Sequence, residues 1–153
     1  MNRDKRDIKI LGENLAFIQN SKYMSYKDFG IEIGYDRNNL ANLESGTQDI
    51  QLSSLVKIAE NLNADVAMLI SRNFVDDEAC RRKEFIQSDY LDMFVNNVKK
   101  TLRRKRMNQA QICGEYHESV SRIMTGRVKN PRISSLSAIA FKLGVSLSEL
   151  LTE

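Results

Sequence analysis

The chain repeats itself, and that limits what it can fold into more than any other feature. Leu52-Ser53-Ser54-Leu55-Val56-Lys57-Ile58-Ala59 reads against Ile133-Ser134-Ser135-Leu136-Ser137-Ala138-Ile139-Ala140 at an offset of 81, and Leu62, Val66, Leu69 and Ile70 then fall opposite Leu143, Leu147, Leu150 and Leu151. Upstream the offset becomes 80, pairing Leu40, Leu43 and Gly46 with Val120, Ile123 and Gly126, so the second copy carries one extra residue in the loop that holds Pro131. Two copies of about 65 residues, rather than one domain, explain a length of 153.

Each copy reads as a run of short helices. Ile8, Leu11, Leu15 and Ile18 recur at spacings of 3, 4 and 3, as do Leu52, Leu55, Ala59 and Leu62, which is one face of a 3.6-residue period. Leu91, Val95, Val98 and Leu102, then Ile133, Leu136, Ala140 and Leu143, repeat the stripes. Ser146 followed by Glu149 makes a capping box for a last short helix over Leu147 to Leu151, and Asp65 caps its counterpart over Val66 to Ile70. No segment alternates with period two. The expected fold is all-α, with about five helices in each of two small domains, residues 1–72 and 89–153. The joining segment 73–88 is polar and charged, with Asp76-Asp77-Glu78 ahead of Arg81-Arg82-Lys83. Acids before bases suit a helix dipole, so a connecting helix is expected there.

Composition narrows the class. At 42% apolar and 28% charged the chain is ordinary globular protein, not collagen-like or disordered. Cys80 and Cys113 are too few to staple a secreted scaffold and too far apart for a paired metal motif, which points to a reducing cytoplasm. No apolar run approaches the roughly 20 residues of a membrane span, and the mixed charges of the start do not resemble a signal peptide. With His117 the only histidine, no nucleophile triad and no glycine-rich phosphate loop, neither an enzyme nor a cofactor or metal site is expected.

The charge is unevenly spread. Residues 1–74 hold nine Lys and Arg against ten Asp and Glu, whereas residues 75–153 hold fourteen against ten. Residues 99–132 alone carry ten cations, opposed only by Glu115 and Glu118. Such a local excess draws a polyanion through long-range attraction and counterion release, although a merely solvated helix face has the same composition.

The stretch from Met24 to Gly46 carries a specific geometry. Ser25 caps a helix whose inner face is Phe29 and Ile33, Gly34 supplies a left-handed turn, and Asp36 caps a second helix with Leu40 and Leu43 inward. Gly30 is the small residue at which two steeply crossed helices approach. Physically this is a helix-turn-helix.

Phe29-Gly30, Gly34 and Leu43-Glu44-Ser45-Gly46 resemble the helix-turn-helix of the lambda-repressor and Cro superfamily, often called Xre-like. Leu52 to Ile70 resembles that family's two closing helices. In the second copy Met107 to Cys113 resembles its second helix, Ser119 to Gly126 its recognition helix, and Ile133 to Leu151 its closing pair. The second copy departs in the middle: Ile112 to Val120 is eight steps where Phe29 to Leu40 is eleven, and Gly114 comes early for the turn glycine. A shortened turn near His117 is preferred to the register that keeps the longer spacing, because the latter turns Gln109 into the core without partners.

The resemblance implies two tandem lambda-repressor-like five-helix domains whose recognition helices enter the major groove of double-stranded DNA. Carried over residue by residue, the first reading face is Arg37, Asn38, Asn39 and Asn42, with Tyr26 and Lys27 near phosphate. The second is Glu118, Ser119, Arg122 and His117, with Asn108, Gln109, Arg127, Lys129 and Arg132 at phosphates and Arg104, Lys105 and Arg106 adding backbone contacts. Asn pairs bidentately with adenine and Arg with guanine, whereas Glu118 repels phosphate unless it reads a cytosine. The same asparagines and arginines also fit a polar surface that binds nothing, and Cys113 fits packing rather than redox sensing.

The function implied is a cytoplasmic, sequence-specific transcriptional regulator, a repressor by preference, of a bacterium, phage or mobile element. The alternative is an interaction module, such as an antitoxin or anti-defence protein, in which one copy serves dimerisation or partner binding. A homodimer and a regulatory protein partner fit either reading, and a membrane fits neither. With both copies assigned, no sensor domain is expected, so control would come from concentration, partners or proteolysis.

Overall fold

Local capping residues decide where most of the helices begin, and a few left-handed residues decide where they stop. In a computed structural model, residues 5–113 and 117–153 are described, with the side chains of residues 117 and 118 outside that description. Among these residues the chain is all-helical. The first half holds α1 (Arg6–Ser21), α2 (Tyr26–Ile33), α3 (Arg37–Glu44), α4 (Leu52–Leu62) and α5 (Val66–Leu69). After α6 (Glu78–Arg82) come α7 (Tyr90–Arg104), α8 (Gln109–Cys113), α9 (His117–Met124), α10 (Ile133–Leu143) and α11 (Leu147–Leu150). Among the described residues the one extended pairing is an isolated antiparallel bridge between Gln51 and Arg132.

The expected caps form. Ser25 Oγ accepts from Asp28 N at 3.1 Å, Asp36 Oδ1 from Asn38 N at 3.0 Å, Asp65 Oδ2 from Met68 N at 3.1 Å and Ser146 Oγ from Glu149 N at 3.1 Å. Asn108 and Gln111 form a reciprocal box ahead of α8, each side-chain oxygen accepting the other residue's N–H. Satisfying the orphan N–H groups of a first turn in this way is worth about 1 kcal/mol per cap.

The sequence repeat has a conformational counterpart. Left-handed residues occur at matching places, Tyr23 (φ 54°) with Arg106 (φ 55°), Gly46 (φ 78°) with Gly126 (φ 79°) and Asn63 (φ 50°) with Gly144 (φ 73°). A side-chain amide also recurs, buried in the first half and half-buried in the second. Asn14 on α1 donates to the carbonyls of Leu69 and Ser71 at 2.8 and 3.0 Å, and Asn97 on α7 donates to those of Leu150 and Thr152 at 2.9 and 2.8 Å. Each amide ties the opening helix of its half to the last carbonyls of the closing helix, groups that no intrahelical donor reaches.

The buried stripes of α1, α4 and α10 follow the periodicity, whereas on α7 the buried face is Tyr90, Phe94, Val98 and Leu102, with the expected Leu91 and Val95 only half-buried at its flank. Ile8, Leu11 and Leu15 of α1, Leu55 and Ala59 of α4 and Phe94 and Val98 of α7 are fully buried, as are Ile133 and Leu136 of α10. The two expected cores are not separate, however: the buried apolar residues of both halves form one cluster. Helix α1 packs on α10, α5 on α11 and α4 on α7. Arg6 stacks over the ring of Phe141 at 3.6 Å, and Ser137 Oγ donates to the buried carboxylate of Asp7.

The joining segment differs from the expected connecting helix. Only Glu78–Arg82 is helical, capped by Asp77, and residues 83–89 run without helix. The tertiary structure takes these backbone groups instead: the Lys83 carbonyl accepts from Asp65 N at 3.1 Å and Phe85 N donates to Asn63 Oδ1 at 3.3 Å. Phe85 packs on the core beside Tyr90, with ring centroids 6.5 Å apart, and a continued helix could not hold all three contacts. Upstream, Arg81 donates to the Phe74 and Val75 carbonyls and lies 5.2 Å from the Phe17 ring.

Replacing Asn14 by Ala strands two buried carbonyls, so Asn14→Ala is expected to cost about 1–3 kcal/mol of unfolding free energy, and Asn97→Ala less, because Thr152 is exposed and water can replace the amide there. Urea denaturation followed by circular dichroism measures both.

Candidate nucleic-acid interface

The segment from Ser25 to Gly46 folds as two crossed helices because two positions leave it no other choice. A Cβ added at Gly30 would stand 2.8 Å from the Tyr35 carbonyl oxygen and 3.5 Å from Arg37 Cα, so α2 and α3 approach this closely only over a bare backbone. Gly34 ends α2 in a left-handed conformation (φ 71°), and Tyr35 N returns to the Gly30 carbonyl at 2.9 Å. Asn61 of α4 donates to the Ile33 carbonyl at 3.0 Å and fixes the turn from outside.

This crossing decides which face of α3 is presented. Leu40 and Leu43 are fully buried, while Arg37, Asn38, Asn39 and Asn42 are exposed, so the four residues expected to read bases share one open face. Asn39 lies within reach of its cap, with Nδ2 3.5 Å from Asp36 Oδ2. Tyr26 and Lys27 are exposed at the first turn of α2.

The second half has the same layout with fewer described side chains. Ile112 and Cys113 are buried and Gln109 is half-buried. The turn itself, residues 114–116 with Gly114, lies outside the described residues, as do the side chains of His117 and Glu118. On α9, Val120, Ile123 and Met124 are buried, whereas Ser119 and Arg122 are exposed. Burial pushes the Cys113 thiol up, away from reactive thiolate, which suits a packing residue.

Arg127, Lys129 and Arg132 are exposed along the segment between α9 and α10. Arg104 and Arg106 are exposed at the end of α7, and Arg106 is one of the left-handed residues. Two other expected contact residues also hold the fold together. Lys105 Nζ donates to the Leu143 carbonyl at the end of α10, where a cation complements the helix dipole, and Asn108 spends its side-chain oxygen as the cap of α8.

Three features of this surface escaped the sequence reading. The stem of Lys9 lies over Gly46, its Cγ 2.7 Å from where a Cβ would be, which brings a residue of α1 to the end of α3. Thr125 is exposed at the end of α9 and back-bonds to the Ser121 carbonyl at 2.8 Å. Asp49 and Asn130 cap helices of the opposite half, Asp49 accepting from Ser134 and Asn130 from Ser53 N at 3.0 Å. The offset alignment sets Asp49 against Asn130 and was the available signal, but nothing local says that each serves the other copy.

No protein-family model, curated protein or solved structure matches this chain. Its function is therefore argued from the surface itself.

Glu44, beside the exposed end of α3, has a buried Oε2 with no hydrogen-bond partner among the described residues, and burial raises its carboxyl above the usual range. A carboxyl raised in the folded state holds its proton more tightly folded than unfolded, so its ionisation subtracts stability as pH climbs from the unfolded pKa through the folded one. Glu44→Gln is therefore expected to raise the thermal midpoint at pH 7, with the gap to the parent closing as pH falls to about 4. A pH series of melting curves checks this.

Proposed function

We propose that this protein is a sequence-specific duplex-DNA-binding regulator, made of two tandem lambda-repressor-like five-helix domains over residues 1–72 and 89–153, with α3 and α9 as the reading helices. The observation that carries the reading is the outward face of α3. Arg37, Asn38, Asn39 and Asn42 are all exposed, on a helix whose opposite face is held by fully buried Leu40 and Leu43. Asparagine and arginine present the paired donors and acceptors that major-groove edges of adenine and guanine require.

The basic surface supports it from the other half. Arg127, Lys129 and Arg132 beyond α9 are exposed, and cations of this kind bind phosphates irrespective of sequence, while Arg122 is exposed on the reading helix itself. Positioning therefore rests mainly on the second half, and much of the base reading on the first. A regulator of this kind fits the cytoplasm of a bacterium or the genome of a phage or mobile element. No helix among the described residues is long and apolar enough to cross a membrane.

Titrating the affinity for duplex DNA against salt tests the reading. Several phosphate contacts give a steep fall in log K with log salt, about 0.9 per neutralised phosphate, whereas absence of binding at low salt rejects it in favour of a protein-interaction role. Arg122→Glu with Arg127→Glu is expected to weaken binding at least tenfold more than Asn38→Ala with Asn42→Ala and to flatten the salt slope by about 2. Equal losses would remove the claim that the second half dominates positioning.

A further inference from the structure

Where α4 and α10 begin, the contacts that join the two halves form a closed exchange, whereas the Arg6–Phe141 stack and the Ser137–Asp7 bond lie outside it. Positions 51 and 132 are equivalent in the repeat, and Gln51 and Arg132 face each other in the antiparallel bridge. Leu52 N donates to the Pro131 carbonyl at 2.8 Å, and the bond obtained by swapping the halves, Ile133 N to the Ile50 carbonyl, is also present at 2.8 Å. Asn130 accepts from Ser53 N at 3.0 Å, and its swapped counterpart, Asp49 from Ser134 N, is present at 3.3 Å. The side chains repeat the exchange, with Asn130 Nδ2 donating to Ser53 Oγ at 2.7 Å and Ser134 Oγ donating to Asp49 Oδ2. Ser148 Oγ meets the carbonyl of Ala67, its own equivalent, at 2.7 Å.

Contacts that map onto themselves when the partners are swapped are isologous, and only a two-fold rotation generates them. Two like units joined by a loose tether have no such relation, and units stacked head to tail have a translational one. The axis passes between Gln51 and Arg132 and between Ala67 and Ser148.

Both candidate reading helices end within a short length of chain of this axis. Helix α3 ends at Glu44, seven residues before Gln51, and α9 ends at Met124, eight before Arg132. Even fully extended, chains of that length reach only about 25–30 Å. Successive major-groove faces about 34 Å apart lie about 17 Å on either side of a DNA dyad, within that reach.

Resting on the DNA-reading function proposed above, we propose that one chain reads both arms of an inverted-repeat duplex, and that the two arms differ in sequence. The inversion follows from the two-fold relation. The difference follows from the unlike reading faces: Arg37 stands with three asparagines, Asn38, Asn39 and Asn42, which add adenine preference in one arm, whereas Arg122 with Ser119 and no asparagine favours guanine in the other. The phosphates near the dyad are served from one side only, because Arg127 and Arg132 have neutral Thr47 and Gln51 as their counterparts.

The test begins by selecting bound duplexes from a random pool of 40 base pairs with the full-length chain. The winning site is then compared with a version in which one arm is reversed in place, and the number of chains per duplex is measured by sedimentation equilibrium. The expected result is two unlike arms in inverted orientation, one chain per duplex, and at least a tenfold loss on reversing an arm. Asn42→Ala should relax base preference in one arm only, and Arg122→Ala in the other. Direct repeats, a single arm, two chains per duplex, or relaxation spread over both arms would overturn this inference while leaving DNA reading intact. A pool that shows no enrichment would overturn both.

Discussion

The arrangement of the molecule depends on two helix N-termini that are capped in trans. Helices α4 and α10 begin at Gln51 and Arg132 with no side-chain cap at either position, so their first N–H groups need acceptors from elsewhere. Asn130 and Asp49 supply them across the pseudo-symmetric junction, and the Pro131 and Ile50 carbonyls take the N–H groups before them. Asp49 is only 7% exposed, a costly place for a carboxylate unless it is hydrogen-bonded. Here it takes both the N–H and the hydroxyl of Ser134 at a helix N-terminus, where the dipole also favours negative charge. Separating the halves would strand these groups on both sides at once, which explains why the buried residues form one cluster although the sequence shows two copies.

Much of this was legible in the sequence because it is local. Ser25, Asp36, Asp65 and Ser146 cap helices a few residues away, and leucines at spacings of three and four mark the buried faces whatever they pack against. In the joining segment the same kind of local signal, acids followed by bases, predicts a helix, and it does produce α6. It fails beyond Arg82 because Asp65 N and Asn63 Oδ1 hold the chain at Lys83 and Phe85, and nothing in residues 83–89 announces those partners.

The candidate surface divides along the same line. Exposure of Asn38, Asn39 and Asn42 follows from the stripe of Leu40 and Leu43, so it could be read in advance. The role of Lys105 could not, because a cation at the end of one helix looks the same whether it faces phosphate or the Leu143 carbonyl of another helix. Asp49 and Asn130 stayed hidden for a related reason. Their partners Ser134 and Ser53 are 85 and 77 residues away, and an Asx residue ahead of a helix is ordinarily credited to its own helix.

The junction also bears on why the halves have drifted apart in charge. Its polar contacts use backbone groups, Asp7, Asp49 and Asn130, and small hydroxyl side chains, its apolar contacts run between α1 and α10, α5 and α11, and α4 and α7, and none of these is on α3 or the outward face of α9. The candidate reading faces are thus uncoupled from the contacts that hold the halves in register. In a dimer of identical chains every substitution on a reading helix appears twice, so both arms of a site must be read alike. Fused into one chain, each half can specialise: α3 keeps asparagines with little surrounding positive charge, while the segment after α9 gathers Arg127, Lys129 and Arg132 near the axis. On the proposed DNA-reading function, phosphate attraction acting over about a Debye length, roughly 8–10 Å, would let cations close to the axis serve both halves while the first copy stays near neutral.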